Sequence, residues 1–90
     1  MKHFDRIGKF SISMILIENN PDFVREIFSR LKAIVLRAET LWYNKEIEYF
    51  AISERFDVRE EGMVVPTYKL EVTNTNDGHV SSIRVIRQGV

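Results

Sequence analysis

The sequence predicts an α+β fold, with one helix packed on a mainly antiparallel five-stranded sheet in the order β-α-β-β-β-β. Apolar residues alternate with polar ones near the amino terminus, change to a period of about 3.6 after Asn20 and Pro21, and alternate again in the second half. A strand, a helix and then a run of strands is the pattern of an α+β domain. The 90 residues form a single domain, 1–90, with one small core.

The first predicted strand lies in the segment "FSISMILI". The residues that alternate with serine and then with isoleucine are Phe10, Ile12, Met14 and Leu16. Since Ile15 and Ile17 fill the intervening positions, we expect a strand that continues to Ile17 and is buried on both faces at its end. The segment is too short to span a bilayer, which takes about 20 residues, so no membrane association is predicted.

A helix is predicted to begin at Pro21. Asn20 is a favoured N-cap, Pro21 fits the first helical position, and the carboxylate of Asp22 faces the positive end of the helix dipole. An apolar stripe at spacings of three and four follows, formed by Phe23, Val24, Ile27, Phe28 and Leu31.

The segment from Ile34 to Tyr43 permits two interpretations. Its apolar residues continue the helical period, which favours one long helix. Its β-branched and aromatic residues fit a pleated strand better, and we prefer a strand from Ile34 to Trp42. A turn at Asn44 and Lys45 would then pair this strand with the next one. The predicted opposite pairs are Trp42 with Ile47, Thr40 with Tyr49, and Ala38 with Ala51.

The second half of the chain predicts three more strands. Glu46 to Ser53 forms a strand and Arg55 to Gly62 the charged connection after it. "TYKLEVT" alternates cleanly, and "NTNDG" is a strong turn signal. In "VSSIRVIR" Ile83 and Val85 share one face while Val80 and Ile86 lie on the other, which indicates a bulge or a strand buried on both sides. The residues predicted to be largely buried are Phe10, Ile12, Met14, Leu16, Phe23, Ile27, Phe28, Leu31, Ile47, Tyr49, Leu70, Val72, Ile83 and Val85.

Composition restricts the functional classes. The chain has no cysteine, so it lacks disulfides and thiolate zinc ligands, and we expect a cytoplasmic protein. Its net charge is zero, which favours neither a strongly basic nucleic-acid binder nor an acidic nucleic-acid mimic.

No catalytic, cofactor or metal motif is present, and a protein that is not an enzyme is predicted. Glu46 and Glu48 lie on one strand face, but solvated glutamates at this spacing are common. His3 and His79 have no partner at metal-ligand spacing, and His79 is predicted to be an exposed turn residue. A small hydrolase that uses Glu46, Glu48 or His79 would require these side chains to meet in one pocket.

The aromatic residues in the middle of the chain are the candidate partner-binding residues: Trp42, Tyr43, Tyr49 and Phe50. Tryptophan and tyrosine are enriched in binding hot spots, although cross-strand core packing also explains the group. The alternative function is nucleic-acid binding, with strand aromatics stacking on bases. The phosphate-binding residues would then be Arg25, Arg30, Lys32, Arg37, Arg84 and Arg87.

Apolar residues that point to both faces of the predicted sheet also predict self-association. One helix can cover only one face of a five-stranded sheet, whereas Phe50 and Ile52 lie beside Ile47 and Tyr49 in the sequence. A second copy is the usual cover for such a surface, so a symmetric homodimer is predicted.

The block "IEYFAISERFDVREEGMVVPTYKL", preceded by "IVLRAE", resembles segments of small uncharacterised proteins of bacteriophages and prophages. The resemblance covers Ile34 to Leu70 and implies a phage or bacterial cytoplasmic setting, without an active site to transfer. The resulting prediction is a small non-enzymatic protein-interaction module, a phage accessory protein that binds a host protein.

Overall fold

The computed structural model describes residues 6–58, 64–77 and 79–88. It shows an α+β fold with a five-stranded sheet that is antiparallel apart from one parallel strand pair. The elements in chain order are β1 (Ile7–Ser13), α1 (Met14–Asn19), α2 (Pro21–Leu31), β2 (Ile34–Leu41), β3 (Glu46–Ile52), β4 (Thr67–Asn74) and β5 (Val80–Gln88). The predicted fold class is therefore confirmed, while the prediction of a single helix is replaced by two helices.

The sheet has the order β2-β3-β1-β4-β5, so β1 is its central strand. β1 pairs antiparallel with β3 and parallel with β4, and the two flanking pairs, β2–β3 and β4–β5, are antiparallel. The two hairpins thus lie on either side of the first strand, and β2 and β5 form the two edges of the sheet.

The first strand ends at Ser13, not at Ile17 as predicted, and α1 follows directly. Ser13 pairs with Glu46, which is the first residue of β3, so no partner strand continues beyond this point. The apolar run after Ser13 then forms a short helix, in which Leu16 and Ile17 pack on the core while Ile15 is exposed. The filled alternation at Ile15 and Ile17 therefore indicated a helix, not a strand buried on both faces.

The second helix begins and ends where local signals place it. α2 begins at Pro21 with Asp22 in its first turn, as predicted. It ends at Leu31 because Lys32 takes a left-handed conformation with φ 52°, from which its N–H donates to the carbonyls of Phe28 and Ser29. The long-helix interpretation is therefore wrong, and the strand after it runs from Ile34 to Leu41, one residue shorter than predicted.

The core lies between the two helices and one face of the sheet. Of the predicted residues, Phe10, Ile12, Ile27, Leu31 and Ile83 are buried, and the others are half-buried. Phe10 is at the centre, with its ring centroid 5.7 Å from that of Phe28, 5.6 Å from Tyr49 and 6.2 Å from Phe56. The buried residues that were absent from the predicted set are Gly8, Val24, Ala51, Ser53, Phe56, Tyr68 and Val80.

Val80 belongs to the core, contrary to its predicted place on the other face. Asn74 pairs with Val80 but Thr73 pairs with Ser82, so β5 has an extra residue at Ser81. This bulge reverses the alternation and directs both Val80 and Ile83 into the core. The phase change in "VSSIRVIR" is therefore a bulge, which is one of the two predicted explanations.

Ser53 joins the end of α2 to the end of β3. Its buried hydroxyl donates to the carbonyl of Leu31 at 2.7 Å and accepts from the N–H of Arg55 at 3.1 Å. Leu31 is the last residue of α2, so this hydroxyl satisfies one of the carbonyls that a helix end leaves unpaired.

Ser53→Ala is expected to destabilise the fold by about 1–3 kcal/mol, because two polar groups next to the core lose their partner. Urea unfolding followed by circular dichroism measures this free energy. Ser82→Ala is the matched control, because Ser82 is an exposed serine on β5. We expect this variant to change the free energy of unfolding by no more than about 0.5 kcal/mol. Equal midpoints for the two variants would contradict the role of Ser53.

The helices cover only part of the sheet. α2 packs against β5, and α1 packs against β1 and α2. The helical layer does not extend over β2, whose residues are exposed from Ile34 to Glu39. This placement leaves an edge strand and its hairpin tip as the most accessible apolar part of the described chain.

Candidate protein-interaction surface

The turn between β2 and β3 occupies residues 42–45. Leu41 pairs with Glu46, and the carbonyl of Leu41 accepts from the N–H of Asn44 at 3.2 Å. Lys45 supplies the positive φ of 55° that a tight reversal needs. A two-residue turn at Asn44 and Lys45 was predicted, but that type needs positive φ at both of its central residues and Asn-Lys has no glycine to supply one cheaply.

The longer turn shifts the predicted register by two residues. Thr40 lies opposite Ile47 and Ala38 opposite Tyr49, while the predicted partners were Tyr49 and Ala51. Trp42 leaves the strand and does not pair with Ile47. The face assignment of Thr40 and Ala38 is unchanged, because a shift of two residues preserves the alternation of side chains.

Trp42 and Tyr43 project from this turn. Their exposed fractions are 75% and 85%, which is unusual for aromatic side chains of this size. Both were predicted as partner-binding residues, and both are accessible for that role.

A shallow pocket of about 270 Å³ lies between the turn and α1. It is lined by Met14, Ile15, Glu18, Trp42 and Lys45. The N–H of Met14 donates to the carbonyl of Lys45 at 2.9 Å, so the start of α1 is fastened to the turn. We call the pocket residues together with Tyr43 the tip surface.

The α1 residues of the tip surface were missed from the sequence. Met14 was assigned to a core strand, and Glu18 was not considered for binding. The signal that could have found them is the broken alternation at Ile15, since a helix starting at Met14 places Ile15 and Glu18 on neighbouring positions three residues apart.

Tyr49 and Phe50 do not join the tip surface. Tyr49 faces the helices, where its ring lies 4.9 Å edge-on from that of Phe28. Phe50 lies on the opposite, helix-free face, beneath the guanidinium of Arg37 at 4.2 Å and the ammonium of Lys9 at 5.8 Å from the ring centroid. The four predicted partner-binding residues therefore form no single cluster.

The environment of Tyr49 predicts a stability change in alkali. Burial raises the pKa of the Tyr49 hydroxyl above its ordinary value of 10.0. The unfolded chain therefore loses this proton first, so Tyr49 contributes its full stability below about pH 10 and loses it as pH rises through the raised value. Tyr49→Phe is expected to flatten the fall in thermal midpoint above pH 10. Parallel curves for wild type and Tyr49→Phe would contradict this prediction.

The helix-free face of the sheet is less apolar than the sequence indicated. Val35 lies opposite buried Ala51 and so faces the helix side. Phe50 is covered by its own basic neighbours, as described above. The homodimer thus stays a prediction, and the helix-free face provides weaker grounds for it than the sequence suggested.

Four of the six basic residues proposed for nucleic-acid binding interact with polar groups of the protein itself. Arg25 lies 3.5 Å from Asp22, Arg84 lies 3.3 Å from Glu71, and Arg87 lies 3.4 Å from Asp57. Arg30 donates to the carbonyl of Val80 at 2.8 Å. Phosphate contacts would have to compete with these interactions, so the alternative function stays a prediction without a specific feature that favours it.

The residues considered for catalysis do not converge. Glu46 and Glu48 lie on β3, whereas exposed His79 lies beside β5, 3.5 Å from Glu26. Strands β1 and β4 separate the two positions, and His3 lies outside the described residues. Among the residues that the structure describes, no cluster of three histidine or acidic side chains could hold a metal ion. No helix within these ranges is long and apolar enough to cross a bilayer.

Comparison with known proteins gives no match to this chain among family models, curated proteins or solved structures. The resemblance to phage and prophage proteins therefore stays a prediction.

Proposed function

We propose that this protein is a small non-enzymatic interaction module that binds a host protein through the tip surface. The observation that carries the proposal is the pair of highly exposed aromatic residues, Trp42 and Tyr43, beside an apolar pocket. Large aromatic side chains left in water are typical of binding hot spots. The resemblance to phage proteins supplies the setting, which is a bacterial cytoplasm.

The chemistry of the tip surface indicates what it would bind. Met14, Ile15 and the Trp42 indole provide apolar walls, and a methionine side chain adapts its shape to a partner. Glu18 and Lys45 supply one charge of each sign at the rim. The surface thus suits an apolar anchor side chain that carries polar neighbours, in a folded partner or in an exposed peptide segment.

Removal of both aromatic side chains is the direct test. We expect the Trp42→Ala, Tyr43→Ala double variant to lose at least about 30-fold in affinity, because even one hot-spot residue contributes about 2 kcal/mol or more. Pull-down from a bacterial lysate with quantitative mass spectrometry identifies the partner, and titration of that partner measures the loss. Circular dichroism should show an unchanged fold, since both side chains are exposed.

Val58→Ala is the matched control. Val58 is also an exposed apolar residue, but it follows the far end of β3, whereas the tip surface lies at the near end. The control should recover the same proteins as wild type. Recovery of these proteins by the double variant as well would refute binding through the tip surface.

A further inference from the structure

The two edges of the sheet are treated differently by the chain. An open edge presents unpaired N–H and C=O groups that can pair with another strand. At the start of β5 these groups are occupied, since the N–H of Val80 donates to the Glu26 carboxylate at 3.1 Å and its carbonyl accepts from Arg30. The carbonyl of Ile83 accepts from Arg55. Side chains of this same molecule therefore block pairing over the first part of β5, from Val80 to Ile83.

In the described part of the chain, β2 has no such cover. Within residues 6–58, 64–77 and 79–88, no side chain or loop hydrogen-bonds to the main chain of β2 ahead of Leu41. The strand also exposes Ile34, Val35 and Leu36, whose side chains are between 43% and 65% accessible. The open edge of β2 therefore offers a second strand both main-chain hydrogen-bonding groups and apolar side chains.

Two carboxylates on this side of the sheet have no cation within ion-pair distance among the residues that the structure describes. Glu39 and Glu48 lie directly opposite each other on neighbouring strands, where like charges are destabilising. Neither takes part in an ion pair among the described residues. A positive charge placed on the outer side of Glu39 would relieve this repulsion.

We propose that β2 pairs antiparallel with β2 of a second copy, about a two-fold axis at Ala38, to form a continuous ten-stranded sheet. Ala38 then faces Ala38 of the second copy. Arg37 of each chain lies opposite Glu39 of the other, which supplies the missing cation twice. This inference is independent of partner binding at the tip surface.

The charges select this register over its neighbours. Directly opposite residues of an antiparallel pair point their side chains to the same face of the sheet. A two-fold axis normal to the sheet must therefore pass between two copies of the same residue. An axis at Glu39 sets two glutamates opposite each other, and an axis at Arg37 sets two arginines opposite each other. An axis at Thr40 leaves a short overlap, because β2 ends at Leu41.

The bulge between Val35 and Arg37 sets the extent of pairing. Regular pairing covers Arg37, Ala38 and Glu39 of each chain. The bulged Leu36 of each chain lies at one end of this paired segment, near Thr40 of the second copy. Pairing of one edge strand is a small interface, so the dimer should dissociate on dilution.

A single cysteine at the axis tests the register. The natural chain has no cysteine, so Ala38→Cys introduces the only thiol. Directly opposite residues have Cα atoms about 4.5–5.5 Å apart, which is within disulfide range. We expect Ala38→Cys to form a disulfide-linked dimer under mild oxidation. Leu36→Cys, about 13 Å from its symmetry mate, and Ser82→Cys on β5 should stay monomeric on a non-reducing gel.

Charge reversal tests the Arg37–Glu39 contact in the chain without cysteine. Light scattering during size-exclusion chromatography should give the mass of two chains for wild type at high micromolar concentration. Arg37→Glu or Glu39→Arg alone should shift the protein to one chain, and the double reversal should restore the dimer. A monomeric wild type, or equal cross-linking at all three cysteine positions, would overturn the pairing. Partner capture by the monomeric variants would show that the tip surface binds its partner without the pairing of β2 with β2.

Discussion

Phe10→Ala is expected to cost about 3–5 kcal/mol of unfolding free energy, the range for truncating a fully buried phenylalanine. Phe10 has no exposed surface, and its ring contacts three aromatic neighbours from α2, β3 and the connection after β3. Its loss removes the centre around which these elements pack. For a domain with a typical stability of about 5–15 kcal/mol, the variant should be partly unfolded at 37 °C.

Urea denaturation followed by tryptophan fluorescence and circular dichroism measures this loss. Phe10→Leu keeps most of the volume and should cost less than half as much. Tyr43→Ala, which removes an exposed aromatic ring, should stay within about 0.5 kcal/mol of wild type. A cost below about 1 kcal/mol for Phe10→Ala would mean that the core is not centred on this ring.

Gly8→Ala is expected to destabilise the protein by about 1–3 kcal/mol or more, although it adds a single methyl group. A Cβ at Gly8 would lie 2.6 Å from Cε2 of Tyr68 and 2.8 Å from Cδ2 of Phe56. These two rings stack at 4.6 Å, and the Tyr68 hydroxyl accepts from the N–H of Asp57 at 2.9 Å. Neither ring can move away without breaking this arrangement.

A double-mutant cycle separates this steric effect from a general effect of alanine in β1. Tyr68→Leu makes room beside Gly8, so the cost of Gly8→Ala should shrink by at least about 1 kcal/mol in that background. Ser11→Ala, on the helix-free face of the same strand, should be near neutral. Additive costs for Gly8→Ala and Tyr68→Leu would contradict the steric explanation.

The elements that could be predicted from sequence are those with local signals. Pro21 and Asp22 indicated the start of α2, where Asn20 occupies the N-cap position without a side-chain capping hydrogen bond. The β-branched pair of Ile34 and Val35 indicated a strand after the helix. The end of β1 at Ser13 had no such signal, because a strand continues only where a neighbouring strand accompanies it, and β3 begins opposite Ser13. The place where β3 begins depends on the length of the turn at residues 42–45, which is distant from Ser13 in the sequence.

The buried residue Phe56 shows a second limit. Phe56 lies in a charged connection, and its burial depends on the gap that Gly8 leaves and on Tyr68 beyond it. Such tertiary contacts have no periodicity in the sequence. Tyr49 and Phe50, in contrast, were placed on opposite faces in the prediction of self-association, because adjacent residues of a strand face opposite sides. The same rule excludes them from one shared partner-binding cluster.

Site-specific photo-crosslinking in bacterial cells tests the central claim, partner binding at the tip surface, most directly. The photoreactive residue p-benzoylphenylalanine would replace Tyr43 in one variant and Val58 in another, both of them exposed positions at opposite ends of β3. The proposed function predicts a discrete adduct with one host protein from position 43 and none from position 58. No adduct from position 43, or an equally abundant adduct from position 58, would contradict it.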